Sequence, residues 1–264
     1  MSSAPTTSLA PAVSPLWMRW FSAYAERYVR KHFHAVRVLR PPPPLSSAPL
    51  VVFLNHASWW DPMTCLVLRN RFFRQRESFA PIDADALVKY PFFRKLGFFP
   101  VEQHSARGAI AFLRGSAEVL ARPNAALWLT PQGRFADARE RPVQFRSGLA
   151  HLADRISTAT FLPLAVEYSF WEEKRPEICV SFGEPFLITE TAAGTLRADS
   201  SALFFESRLH AAQEELAAAV IRRDTAAFRV LERSCGGVGG VYDLWRRAQA
   251  ACRGEKFQPE HGLK

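Results

Sequence analysis

Between residues 50 and 186 the chain repeats one pattern: a short, nearly unbroken apolar run, then a longer stretch whose apolar positions recur every three or four residues. The runs LVVFL (50–54), SFAPID (78–83), FFPVE (98–102), AALWLT (125–130), TFLPLAVEY (160–168) and EICVSFGEPF (177–186) predict strands, mostly buried on both faces. Helices are predicted over PMTCLVLRN (62–70), ADALVKYPFFRKL (84–96, interrupted at Pro91), SARGAIAFLRGSAEVLAR (105–122) and GLAHLADRIS (148–157). Residues 200–233 read as helical throughout. Apolar strands joined through helices imply the α/β class, with a largely parallel or mixed central sheet covered by helices on both faces. No internal repeat interrupts the pattern.

The flanks differ in character. Residues 1–15 are small, polar and proline-punctuated, and read as a flexible tail without the basic start and apolar core of a secretory signal. In residues 16–40, Trp17, Trp20, Phe21, Tyr24, Tyr28 and Val29 recur at helical steps, with Arg19, Arg27, Arg30 and Lys31 falling between them. Two readings of this amphipathic helix stay open: packing on the domain, or lying in a lipid headgroup layer with its arginines on anionic lipid. The proline-rich stretch 41–49 reads as a stiff hinge, 50–235 as the main domain, and 236–264, beginning with the glycines after Cys235, as a second hinge and a short helix.

Composition narrows the possibilities. A chain of 264 residues, 48% hydrophobic, can bury one substantial core. Lys and Arg outnumber Asp and Glu by 34 to 25, and the net charge of +9 favours an anionic partner. Cys65, Cys179, Cys235 and Cys252 lie far apart, without metal-site spacing or disulfide-scaffold density, which fits a reducing, cytoplasmic setting. No apolar run approaches the length of a membrane span.

The stretch NHASWWDP (55–62) follows the first buried strand directly. It has two readings: a strand-to-helix turn with Asp61 as an N-terminal charge, or a histidine base with its orienting carboxylate. In α/β sheets, sites gather where strand carboxyl ends meet loops, and FPVEQ (99–103) and TPQGRFAD (130–137) sit at two further such ends.

The ordered set of motifs resembles the glycerolipid and lysophospholipid acyltransferase family. NHASWWD matches its N-H-x-S-x-x-D block at every defined position; GFFPVEQ (97–103), TPQGRF (130–135) and FLPLAVEY (161–168) are similar to its later blocks, in order, and FRSGLAHLA and SFGEP echo others. The resemblance spans roughly 45–190. It implies direct acyl transfer from a thioester, acyl-CoA or acyl-carrier protein, to a hydroxyl of a lysophospholipid, glycerol phosphate or other lipid acceptor. His56 would be the general base and Asp61 its partner, with Asn55, Ser58, Glu102, Arg107, Pro131, Gln132, Gly133 and Arg134 around the substrates. Four positions depart from the family pattern: Gln103 and Phe135 stand where it has Arg, Gln132 where it has Glu, and Arg134 where it has Thr. Arg134 or Arg107 could restore a phosphate contact, or the acceptor carries no phosphate there.

No metal or redox cofactor is implied. His32, His34, His104 and His151 lack ligand spacing, and neither a G-x-S-x-G elbow nor a phosphate-binding G-x-x-x-x-G-K-[ST] loop occurs. The expected setting is the inner face of a membrane, bound peripherally on the cytoplasmic side, with no nucleic-acid partner. Two alternatives stay open: a catalytically silent lipid-binding protein of the same fold, and a thioester hydrolase.

Overall fold

The computed structural model describes residues 9–103, 105–189 and 198–234, with positions 249 and 253. The expected glycine hinge and closing helix fall almost wholly outside them, as do residues 1–8, His104, Cys235 and Cys252.

Among the described residues the order is α1 (Pro15–His32), β1 (Ala35–Val38), β2 (Leu50–Leu54), α2 (Asp61–Phe72), β3 (Glu77–Asp83), α3 (Ala84–Lys89), a 3-10 turn (Pro91–Leu96), β4 (Phe98–Val101), α4 (Ala106–Leu120), β5 (Ala125–Leu129), α5 (Gly148–Ala153), β6 (Thr158–Ser169), β7 (Glu177–Phe182), β8 (Phe186–Thr189), α6 (Ala198–Arg222), a 3-10 turn (Thr225–Ala227) and β9 (Arg229–Arg233). The strands form one nine-stranded sheet ordered β4-β3-β5-β2-β6-β7-β1-β9, with β8 also on β6. Pairing is parallel from β4 through β6 and between β1 and β7. It is antiparallel where β6 meets β7 and β8 and where β1 meets β9.

Helices cover both faces. Strand β2 shows why its sequence is a continuous apolar run: Val51 and Phe53 join a cluster with Leu127, Phe161, Leu152 and Phe205, whereas Leu50, Val52 and Leu54 join one with Val29, Leu68, Trp128 and Leu164. With a core on each side, no position of the strand can be polar. This is the mixed α/β sheet expected from the pattern.

Four boundaries need correction. The segment 16–40 is not one helix: α1 ends at His32, and Ala35–Val38 form a wholly buried strand parallel to β7. Arg37 lies inside it because Glu177 takes its Nε at 3.1 Å and Trp171 covers the guanidinium at 4.7 Å. The main domain therefore starts before residue 50, and the prolines at 41–44 link two strands of one sheet rather than hinge two bodies. That linker is tied down, since Arg76 donates to the Ser46 and Ala48 carbonyls at 2.6 and 2.8 Å. Residues 9–14, expected in a flexible tail, are held: the Leu9 and Ala10 amides donate to Glu118 at 2.8 and 3.1 Å. Finally, the helical reading of 200–233 stops at Arg222, and Arg229–Arg233 pair with β1.

Candidate active site

Strand β2 delivers Asn55 and His56 at its carboxyl end, beside β5 and β6. Asn55 is buried, and its side chain mimics a strand backbone: Nδ2 donates to the Val166 carbonyl and Oδ1 accepts from the Val166 amide, both at 2.8 Å. The chain then turns, with the Asp61 amide donating to the Ser58 carbonyl at 3.1 Å, and α2 starts at Asp61 with Pro62 behind it. Asp61 does not cap the helix. Its side chain folds back so that His56 Nδ1 lies 2.6 Å from Oδ2, which also accepts from the Ser58 amide at 3.2 Å. Oδ1 accepts from the Tyr168 hydroxyl at 2.7 Å, and Thr64 Oγ1 stands 3.0 Å from that hydroxyl.

Asp61 is 2% exposed, so its carboxylate exchanges water for these donors, whereas the His56 side chain keeps 23% of its surface open. An ionised carboxylate only accepts, so Nδ1 carries a proton, and in the neutral imidazole Nε2 is then the nitrogen with the lone pair. Burial, and then the Asp61 charge, push the Tyr168 hydroxyl and the Cys65 thiol well above their usual values, so both stay protonated beside the carboxylate.

His56 and Asp61 line a cleft of about 490 Å³ whose other walls are largely apolar, including Met18 of α1, Leu66, Phe79, Ile82, Phe98 and Trp128. A second cleft of about 430 Å³ shares Ile82, Gln103, Leu129 and Gly133 with it and carries Phe112, Arg146, Ser147 and His151. The two clefts adjoin at the strand ends, and His56 lines the first of them.

The residues expected around the substrates separate into groups. Asn55, Ser58 and Gln132 brace the loops instead of lining a cleft. Gln132 is buried and its Oε1 accepts from the His56 amide at 2.9 Å, which corrects its placement at the substrate. A carboxylate would accept the same bond, so the change from Glu to Gln preserves the contact. Pro131, Gly133 and Glu102 do line the second cleft, and Glu102 accepts from the Ser105 hydroxyl at 2.7 Å. Gly133 has φ +62°, a left-handed turn that favours glycine, and a Cβ there would require the flexible Arg146 side chain to move aside. Arg107 is exposed on α4 and lines neither cleft. Arg134 reaches the first cleft, but its guanidinium is bonded to Glu140, which holds it firmly charged. Phe135, 58% exposed, lies over His56 with ring centroids 4.2 Å apart. Among the described residues no three His, Cys, Asp or Glu side chains converge as metal ligands.

Tyr168 and Thr64 escaped the sequence reading. The signal that could have found Tyr168 is register: Leu54 pairs with Leu164, so the residues after Leu164 run alongside the loop that follows β2.

The pattern that defines the acyltransferase family matches residues 29–167. A search of curated proteins finds no matching sequence. Among solved structures, the 1-acyl-sn-glycerophosphate acyltransferase PlsC from Thermotoga maritima superposes with a TM-score of 0.56 at 14% identity, covering 76% of this chain and 80% of that one. That likeness is one of fold.

Proposed function

Since the chain belongs to the acyltransferase family and is an O-acyltransferase, we propose that it moves a fatty acyl group from a thioester donor, acyl-CoA or acyl-carrier protein, to a lipid hydroxyl. The observation that carries this reading is the 2.6 Å contact between His56 Nδ1 and Asp61 at the mouth of an apolar cleft. Nε2 of His56 takes the acceptor's hydroxyl proton as its oxygen attacks the thioester carbonyl. The Asp61 carboxylate stabilises the imidazolium so formed. When the tetrahedral intermediate collapses, the C–S bond breaks and the same proton returns to the departing thiolate. The acyl chain fits the apolar walls, and the +9 charge suits an acidic donor.

The acceptor proposed is a lysophospholipid or another hydroxylated lipid whose polar part carries no phosphate next to His56. Phe135 occupies that position, and Arg134 is neutralised by Glu140. The protein would meet its substrates as a peripheral protein on the inner face of a membrane. Support comes from an aromatic ladder from Trp17 through Trp20, Tyr24, Tyr28 and Trp60 to Trp59, which runs along α1 to the loop between His56 and Asp61. One side of α1 packs on the domain through Met18, Ala25 and Val29, while Leu16, Trp20 and Tyr24 stay exposed beside Arg19 and Arg27. Among the described residues no helix is long and apolar enough to cross a membrane.

The test is to incubate the purified protein with labelled acyl donor and a panel of acceptors presented on vesicles, following thiol release and acylated lipid separately. Acylated neutral or zwitterionic acceptor is the expected product. Thiol release without lipid product would indicate hydrolysis, and neither signal would indicate a silent lipid-binding protein.

A further inference from the structure

We propose that Tyr168, through its hydroxyl, is a positioning residue that fixes the rotation of the Asp61 carboxylate, so that the base is set by three side chains from β2, α2 and β6. This rests on the reading of His56 as the base. A carboxylate with one oxygen bonded can still swing about its last torsion, which is broad for aspartate. Asp61 is held at both ends: Oδ2 by His56 Nδ1 at 2.6 Å and the Ser58 amide at 3.2 Å, and Oδ1 by the Tyr168 hydroxyl at 2.7 Å. The second hold crosses to another element, 107 residues away in sequence. It ties the helix that carries Asp61 to the strand that neighbours β2.

The direction of each proton follows from the donor inventory. Asp61 accepts, so the phenol must donate to it, and the Thr64 hydroxyl, 3.0 Å from the phenol, must donate to the phenol oxygen. Thr64 sits one turn beyond Asp61 on α2 and is fully buried. Its bond polarises the phenol O–H, which strengthens the bond to Asp61. Burial keeps the phenol protonated, so the donor persists across the working pH range.

A donor on Oδ1 also tempers the charge that Oδ2 offers to the imidazole. Removing it leaves a more localised negative charge opposite His56, which favours the imidazolium and moves the acid-side fall in activity to higher pH. The groups that could compete in such a titration are few. Cys65 on α2 and Tyr168 on β6 adjoin Asp61 and stay neutral, and Arg134, which lines the cleft, is matched by Glu140. Asp83 from β3 and Arg69 from α2 also line the cleft, and the His32 ring of α1 packs on Trp60 at 5.4 Å.

Tyr168→Phe removes one oxygen and keeps the ring that packs on Phe33 at 5.8 Å. The expected result is a fall in kcat of about 10- to 100-fold, by analogy with the loss of a hydrogen-bond partner that orients a metal-ligating side chain. The KM values for donor and acceptor should change little, and the acid limb of the kcat/KM profile should move upward. Thr64→Val should shift the limb the same way by a smaller amount, and it supplies the test if Tyr168→Phe fails to fold. Unchanged kcat and an unmoved acid limb in the folded variants would overturn the positioning role, as would a loss of thermal stability with no change in the profile. His56→Ala is measured in parallel. If it stays active, the base assignment has failed; if it is inactive while Tyr168→Phe matches wild type, only the Tyr168 inference has failed.

Discussion

Two loops meet over the same cleft and have been built by opposite means. In residues 55–61 every polar side chain finds a buried or backbone partner: Asn55 on Val166, Ser58 on the Trp60 amide, Asp61 on His56 and Tyr168. In residues 134–141 two of the ion pairs lie nearer the surface, Arg134 with Glu140 and Arg141 with Glu214, and only Arg139 reaches in to the buried Glu167 of β6. The first loop matches the family pattern at every defined position, and the second departs from it. A buried network tolerates little change because each lost partner strands another group, whereas an exposed loop can be rewritten at small cost in stability. On the proposed function, the first loop would carry the transfer chemistry and the second would be the place where acceptor choice can vary.

The largest effect expected is on the first loop. His56→Ala should cut turnover by about 10²–10⁴-fold or more, the scale of a lost general base. Asp61→Asn should also be severe, because an amide cannot stabilise the imidazolium and offers Nδ1 a donor on one side. Single-turnover measurements with labelled donor, together with circular dichroism to check folding, decide this. Near-normal turnover in a folded His56→Ala protein would leave the comparison without its chemical half.

Next comes the scaffold of that loop. Asn55→Ala would leave the amide and carbonyl of Val166 without partners in a buried strand, at a cost of about 2–4 kcal/mol if neither finds water. A urea titration should show the midpoint falling with an unchanged slope. Gln132→Glu should cost much less, since a carboxylate oxygen can still accept from the His56 amide. An Asn55→Ala midpoint equal to wild type would mean that the loop is not anchored through β6.

How much of this could be read in advance follows from how local each feature is. His56 and Asp61 were legible because both ends of their contact lie within one motif, and β2 and β5 because strands buried on both faces leave unbroken apolar runs. Strand β1 was lost inside an apparently helical stretch: Arg37 reads as a solvated helix residue until Glu177, 140 positions later, accounts for its burial. Strand β9 was hidden for the same reason, since FRVLER becomes a strand through pairing with β1. The contacts of Tyr168 with Asp61 and of Gln132 with His56 likewise join distant segments. Local periodicity carries no information about such partners.

A moderate effect is expected where Phe135 covers His56. Phe135→Arg restores the residue that the family pattern has there and removes an exposed ring from the base. One charge-assisted contact to a phosphate should raise the preference for a phosphorylated over a neutral acceptor by about tenfold, equivalent to ~1.4 kcal/mol. Competition between the two acceptors on one vesicle population gives the ratio directly. If the ratio stays constant while total turnover changes, Phe135 acts on access to His56 and not on acceptor choice.

The smallest effect should come from the exposed pair in the second loop, and it separates neutralisation from absence. If Arg134 is silent only because Glu140 occupies it, Glu140→Gln should release the guanidinium and lower the KM of a phosphorylated acceptor by a few-fold, more at low salt than at high. Arg134→Ala should do nearly nothing to any acceptor. The thermal midpoint should barely move in either variant, because both side chains lie at the surface. Arg134 holds the Glu140 carboxyl below its usual range through their hydrogen bond, so the pair stays intact from neutral pH down into the carboxylate range. The KM of a phosphorylated acceptor in the wild-type protein should accordingly show no change between about pH 6 and 8 beyond the titration of the acceptor's own phosphate. A large KM increase in Arg134→Ala would show that the arginine leaves Glu140 to meet substrate, and the second loop would then read phosphate as the family pattern does.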